Sequence, residues 1–231
     1  MARAVFDAFG SELADENKMV VHRLGMDTSG VMVFAKTKDA VRGLNACFRT
    51  RRVERTYEAL VAGHVQNDAG MISLPLMRDY EFPPFMRVST DDHQRQLLDL
   101  DVEIVGKKLL ALPKDSLTKY EVISREEYDG QPVTRVTLTS ISGRTHQLNV
   151  HMAAFGHPIV GDTTYGWNGD AAPNGGLTAS EQDELVPNDS RASEECQRAL
   201  ADAQPCVHAK SIQFVHPMTG EQVSISVDAP F

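Results

Sequence analysis

Three short stretches of the chain concentrate residue types that can do chemistry. His22-Arg23-Leu24-Gly25-Met26-Asp27-Thr28-Ser29-Gly30 sets two cationic groups, a carboxylate, two hydroxyls and two glycines before an apolar run. Arg51 to Tyr57 leads with basic residues into a tyrosine at the opening of a strand. Ser142-Gly143-Arg144-Thr145-His146-Gln147-Leu148-Asn149-Val150-His151 alternates polar groups with apolar ones. Polar side chains this dense beside apolar neighbours need partners, either one another or a ligand. Apart from Glu54, Asp27 is the only carboxylate in the set, so a glycosidase lacks its second acid. His146 and His151 have no nearby third ligand, which favours satisfied core or turn histidines over a metal site. There is no G-x-S-x-G elbow, Walker loop or G-x-G-x-x-G, so hydrolase, nucleotidase and dinucleotide readings have no anchor.

The elements that position these stretches follow from apolar periodicity. Residues 1–18 read as an amphipathic helix on Val5, Phe6, Phe9 and Leu13. Val31 to Ala35 reads as a buried strand, and Thr37 to Phe48 as a helix with Ala40, Val41, Leu44 and Phe48 on one face. Tyr57 to Ala62 is a predicted strand stopped by Gly63-His64. Leu117 to Ser124 and Val133 to Ser140 alternate as half-buried antiparallel strands do. Leu148 to Phe155 fits a strand turning into a short helix. Lys210 to Val215 and Gln222 to Val227 form a predicted final hairpin. Strands with few intervening helices indicate an α+β fold with a mixed, mostly antiparallel β-sheet and flanking helices. One domain over residues 1–231 is expected, with an acidic insertion or mobile loop at about 168–205.

Composition bounds the partners. The 231 residues carry 23 Lys+Arg against 32 Asp+Glu, a net charge of −9, which taken alone speaks against a polyanionic partner. The charge is uneven, however. Asn168 to Pro205 is net −6 and Asp91 to Glu103 net −4, leaving about +1 elsewhere. Val31 to Leu60 holds Lys36, Lys38, Arg42, Arg49, Arg51, Arg52 and Arg55 against Asp39, Glu54 and Glu58. That is either a solvated helix face or a surface that tracks phosphates. Three cysteines without C-x-x-C spacing read as reduced thiols, and no apolar run is long enough to span a membrane. A cytoplasmic monomer without membrane contact is expected.

At this point the residues resemble a family, the RluA-type RNA pseudouridine synthases. His22 to Lys36 resembles its H-R-L-D-x-x-T-S-G segment, and Arg55 to Gly63 is similar to its tyrosine-containing strand. Gly143 to Gly166, G-R-T-H-Q-L-N-V-H-M-A-A-F-G-H-P-I-V-G-D-T-T-Y-G, resembles its most diagnostic stretch. Ser116 to Val122 and His208-Ala209 through His216-Pro217 complete the match. The resemblance implies isomerisation of uridine to pseudouridine in structured RNA (rRNA or tRNA), with no cofactor and no metal. It further implies that an Asp carboxylate drives the reaction and that Arg144 pairs with it. Tyr57 would pack on the target base, Leu148 would wall the pocket, and Arg23 would fill the space the base vacates. His22, Thr28, Arg55, His146 and Gln147 are carried over as substrate or RNA contacts.

Two departures qualify this. Gly25 stands where the family pattern has its catalytic Asp, and glycine can be neither nucleophile nor base. Asp27 is the stand-in, unless it is a turn residue bonding the amides of Ser29 or Gly30. The alternatives are a catalytically silent RNA-binding module on the same scaffold, or an error at that position. Second, only 21 residues precede His22 where the family pattern has a strand ending in Lys-Pro, so an N-terminally shortened domain is expected. Asn149 replaces a common Arg, weakening a phosphate or structural contact.

Overall fold

The computed structural model describes residues 1–25, 27–98 and 112–231. In chain order the elements are α1 (Ala2–Phe9), β1 (Ser29–Gly30), α2 (Lys38–Arg49), β2 (Val53–Ala62), β3 (Ala69–Ser73), β4 (Leu76–Arg78), β5 (Met86–Val88), α3 (Asp91–Leu98), β6 (Leu117–Tyr128), β7 (Gln131–Ser140), α4 (Gln147–Ala154), α5 (Ala179–Leu185), α6 (Glu194–Ala199), β8 (Val207–Val215) and β9 (Gln222–Ser226). The chain divides into a first unit, residues 1–57 and 208–231, and a second, residues 58–207. The acidic residues Asp99, Asp101 and Glu103 lie outside the described residues; Asp91 and Asp92 open α3.

In the first unit β8 lies between β1 and β2 and pairs antiparallel with β9. The β1–β8 pairing is parallel, with Ser29 opposite His208 and Gly30 opposite Ala209. A Cβ on Gly30 would fall 2.3 Å from the Ala209 carbonyl oxygen, so the close approach of the two backbones requires glycine there. Val21, Ala35, Leu44, Ile212 and Phe214 form the core, and α2 caps its N-terminus with Thr37, whose Oγ1 accepts from the Ala40 amide at 3.1 Å.

Two expectations change here. The helix expected over 1–18 ends at Phe9, where Gly10 turns the chain at φ 63°, and a short 3-10 turn, Glu16–Met19, follows. Val31 to Ala35 is not a strand. Its amides are satisfied one at a time: Val31 donates to the Ala209 carbonyl, Val33 to the His22 ring and Ala35 to the Met19 carbonyl. A run whose partners differ at every step forms no ladder, although its side chains still pack on the core.

In the second unit β3, β6, β7 and the end of β2 lie side by side. The β6–β7 hairpin turns at Asp129-Gly130, both at positive φ (53° and 72°), the geometry that suits the strand twist. Both strands run longer than their alternation predicts. The segment expected to be an acidic insertion or mobile loop, 168–205, carries α5 and α6 and buries Leu177, Val186, Ala192, Cys196 and Leu200, a packed segment and not an open loop. A capping box of Thr178 and Glu181 starts α5, and Ser193 caps α6. Acidic residues near those helix N-termini complement the helix dipoles, which accounts for part of the local charge. Leu148 to Phe155, expected to begin as a strand, is helical from Gln147. Its polar alternants Asn149 and His151 bond within the fold, so the alternation reports buried polar partners and not a two-faced strand.

Candidate active site

Each unit contributes one group of the residues singled out above. In the first unit, His22 stacks on Phe48 with ring centroids 4.7 Å apart, and the Arg55 guanidinium lies 5.8 Å from the same ring. The Val33 amide donates to His22 Nε2 at 2.9 Å, so the ring proton sits on Nδ1, a buried atom without a partner. Burial, and secondarily the Arg55 charge, lowers the His22 pKa to about 4, so this histidine is neutral and shapes the loop. Arg55 and Tyr57 share one face of β2, two residues apart and both half-buried. Sequence reasoning missed Phe48 as the plate joining His22 to Arg55, because its place on the apolar face of α2 reads as core.

The Gly25 loop is a turn in which the Thr28 amide donates to the Gly25 carbonyl at 3.1 Å. Arg23 and Asp27 are exposed and Thr28 is half-buried. Among the described residues of its own unit the Asp27 carboxylate makes no hydrogen bond or ion pair, so it does not clamp the Ser29 or Gly30 amides. Ser29, next along, has its Oγ 2.7 Å from His208 Nδ1.

In the second unit, the loop before α4 is held by a directional chain of hydrogen bonds. The Leu74 carbonyl can only accept, so His151 donates to it from Nε2 at 3.0 Å. His151 Nδ1 then accepts from the Thr118 hydroxyl at 2.9 Å, and Thr118 Oγ1 accepts from Gln147 Nε2 at 3.0 Å. Gln147 Nε2 also donates to the Leu117 carbonyl at 2.8 Å. Gln147 Oε1 accepts from the Ser142 hydroxyl at 2.7 Å and from the Arg144 amide at 2.9 Å. Gln147 is thus a buried keystone that sets the backbone of Arg144. The Arg144 side chain is half-buried, and its Nε and Nη2 sit 3.4 Å from the Asp115 carbonyl. Among the described residues of this unit it pairs with no carboxylate.

His146 takes the left-handed conformation at φ 50°, and its Nδ1 lies 2.8 Å from the Tyr165 hydroxyl. That hydroxyl also accepts from the Met86 amide at 3.0 Å, which ties the His146 loop to β5. Leu148 is buried. Asn149 donates to Asp162 at 2.8 Å, so its place is structural. Thr118 and Tyr165 were missed: the first sits on an ordinary strand pattern, and only the G-D-T-T-Y-G run marked the second. A cleft of about 920 Å³ in this unit is lined by Tyr165, Trp167, Asp183, Asp189, Arg191 and Glu194 among others; it reaches the His146 partner Tyr165 but none of the residues carried over from the family. Among the described residues no group of three or more His, Cys, Asp or Glu is placed to hold a metal.

Burial lowers the His151 pKa from 6.5 to about 4. A depressed folded-state pKa contributes stability above pH 6.5 that is lost as pH falls through about 4, because the unfolded chain takes the proton first. The expected loss from this histidine is at most about 3 kcal/mol. Denaturant melts from pH 7 to pH 4 should show that decline, and it should be shallower in His151→Asn. An equal decline in both proteins would refute the assignment.

The sequence and the α+β fold are those of a class of RNA-modifying isomerases, as comparison with known proteins shows. The family model for RNA pseudouridylate synthase matches residues 7–154. The chain is 34% identical over 210 residues to the dual-specificity RNA pseudouridine synthase RluA of Haemophilus influenzae, covering 91% of this chain and 73% of that protein. It is 39% identical over 145 residues to the human RNA pseudouridylate synthase domain-containing protein 1, 63% of this chain and 42% of the relative. The solved structure of human RNA pseudouridylate synthase domain containing 1 superposes with a TM-score of 0.63 at 28% identity, covering 91% of this chain and 69% of that one. The chain belongs to the RNA pseudouridylate synthase family, in its RluA branch. RNA is the substrate class that goes with that membership, and uridine isomerisation is the family's reaction.

Proposed function

We propose that this protein isomerises uridine to pseudouridine in structured rRNA or tRNA, with Asp27 supplying the carboxylate that Gly25 cannot. The observation that carries this is the state of Asp27: exposed, two residues from the family's acid position, and unengaged by the amides of its own turn. The reaction breaks the N1–C1′ bond, turns the uracil and joins C5 to C1′. The proton lost from C5 is matched by one gained at N1, so no oxidant or co-reactant is needed. The carboxylate acts either by attack on C1′ or as the base. In this reading Arg144 pairs with that carboxylate, Tyr57 packs on the uracil, Leu148 walls its pocket and Arg23 takes the space left by the flipped base. His22, Thr28, Arg55, His146 and Gln147 shape or line the RNA path.

The chain is read as one catalytic domain with an acidic insertion at 168–205, acting as a cytoplasmic monomer without metal. Its three cysteines are free and buried, and no described helix is long and apolar enough to cross a membrane. The test is incubation with unmodified rRNA and tRNA transcripts, with pseudouridine mapped by carbodiimide-blocked primer extension. New stops that vanish in Asp27→Ala support the assignment; stops retained in that variant assign the chemistry to another acid.

Gly25 itself favours a second reading, a catalytically silent RNA-binding module. Its signature is RNA affinity that falls steeply with salt in a protein that leaves no new stops.

A further inference from the structure

The C-terminus of α2 closes in a way that ordinarily calls for glycine. Arg49 is the last helical residue and Thr50 the C-cap. The next residue, Arg51, is left-handed at φ 55°; its amide donates to the Phe48 carbonyl at 3.2 Å, and the Arg52 amide donates to the Cys47 carbonyl at 2.9 Å. This pair of bonds is the Schellman arrangement, in which the left-handed position is usually glycine because an L side chain is disfavoured there. Here that position carries an arginine, followed directly by Arg52 and preceded two residues earlier by Arg49. The Arg51 side chain is exposed and, among the described residues of its unit, makes no hydrogen bond or ion pair. Arg52 is instead turned back, its Nε donating to Thr50 Oγ1 at 3.0 Å.

Cations beside a helix C-terminus do favour the dipole, but Arg49 and Arg52 already serve that end without leaving ordinary backbone angles. A disfavoured conformation kept by an unpaired, solvent-facing arginine points to a ligand outside the chain. A bare guanidinium with open forks suits a phosphate. We infer that Arg51 is a phosphate-binding residue for the RNA substrate, an inference that rests on the RNA reading above. Arg51 and Tyr57 are six residues apart, at most about 20 Å of extended chain. The phosphate it holds therefore belongs to a nucleotide flanking the target uridine, and Arg51 acts in substrate placement and not in the chemical step.

Binding of a fluorescent unmodified tRNA transcript, followed by anisotropy between 50 and 200 mM KCl, tests this. One phosphate contact contributes about 0.9 to the log–log salt slope, or about threefold in affinity across a fourfold change in salt. Arg51→Gly should bind more weakly at low salt with its slope reduced by about one. It should melt at the same temperature as the wild type or higher, because glycine relieves the backbone. Arg51→Lys should keep the slope, and Arg95→Gln, which removes the same charge from α3, should leave it unchanged. An unchanged slope in Arg51→Gly, or an equal reduction in Arg95→Gln, overturns the inference while leaving the RNA reading intact. A wild-type protein with no affinity for the transcript at 50 mM salt overturns both.

Discussion

Gly25→Asp should raise pseudouridine formation by about 10²- to 10⁴-fold, the usual worth of a placed acid–base group. The loop accepts the side chain. Gly25 does not occupy the left-handed region, so an L residue meets no backbone penalty there. Its Cβ would meet only the Thr28 side chain, at 2.9 Å from Oγ1 and 3.9 Å from Cβ. The hydroxyl can rotate out of that contact, and the turn bond from the Thr28 amide to the Gly25 carbonyl involves backbone alone. The gain should appear in the initial rate of pseudouridine formation in a single tRNA transcript, with circular dichroism confirming the fold. The double variant Gly25→Asp/Asp27→Ala separates the two carboxylates. If it matches Gly25→Asp, an acid at position 25 is sufficient without Asp27. If it is inactive while Gly25→Asp is active, Asp27 is needed whichever acid reacts. A folded Gly25→Asp protein no faster than the wild type would sink the idea that the missing carboxylate limits the chemistry.

Much of this was legible in the residues, and the failures share a cause. The β6–β7 hairpin was readable because alternation and a D-G turn agree, each dictating the same geometry. The α2 helix was readable because Thr37 supplies the cap just where the apolar period begins. Val31 to Ala35 misled because five apolar residues say only that a segment is buried, whereas a strand requires a neighbour along its whole length. Leu148 to His151 misled because Asn149 and His151 look like an outward polar face, yet both are answered inside the protein, by Asp162 and by Thr118 and Leu74. In the site, dense polarity correctly marked the loops. It could not say which polar groups face a ligand and which hold the loop. His22 and Gln147, both expected at the RNA, are occupied by the Val33 amide and by the β6 backbone. Only the fold shows those long-range partners, and only the fold shows an arginine where a helix end calls for glycine.

Gln147→Leu carries the second large effect, on stability first and on the reaction through it. The substitution keeps the volume and removes four hydrogen bonds at once. Not every loss is equal. The Leu117 carbonyl still accepts from the Ile141 amide at 3.0 Å, and Thr118 still bonds His151. The Arg144 amide and the Ser142 hydroxyl lose their shared acceptor. At about 1–3 kcal/mol for each of these two polar groups left without a partner, the expected cost is about 2–6 kcal/mol. For a chain of this size that lowers the melting temperature by about 5–25 °C. Gln147→Glu separates the two ends of the amide: its carboxylate still accepts from Arg144 and Ser142, but an acceptor then faces the Leu117 carbonyl. If Gln147 sets the Arg144 loop, amide exchange at Arg144 should speed up in Gln147→Leu and stay slower in Gln147→Glu, although both proteins melt early. Equal protection of that amide in wild type and Gln147→Leu would mean the loop is held from elsewhere. Under the proposal that Arg144 pairs with the reacting carboxylate, a displacement of about 1 Å costs about 10²-fold in rate, so Gln147→Leu placed in the Gly25→Asp background should lose most of the gained activity at temperatures well below its own melting point.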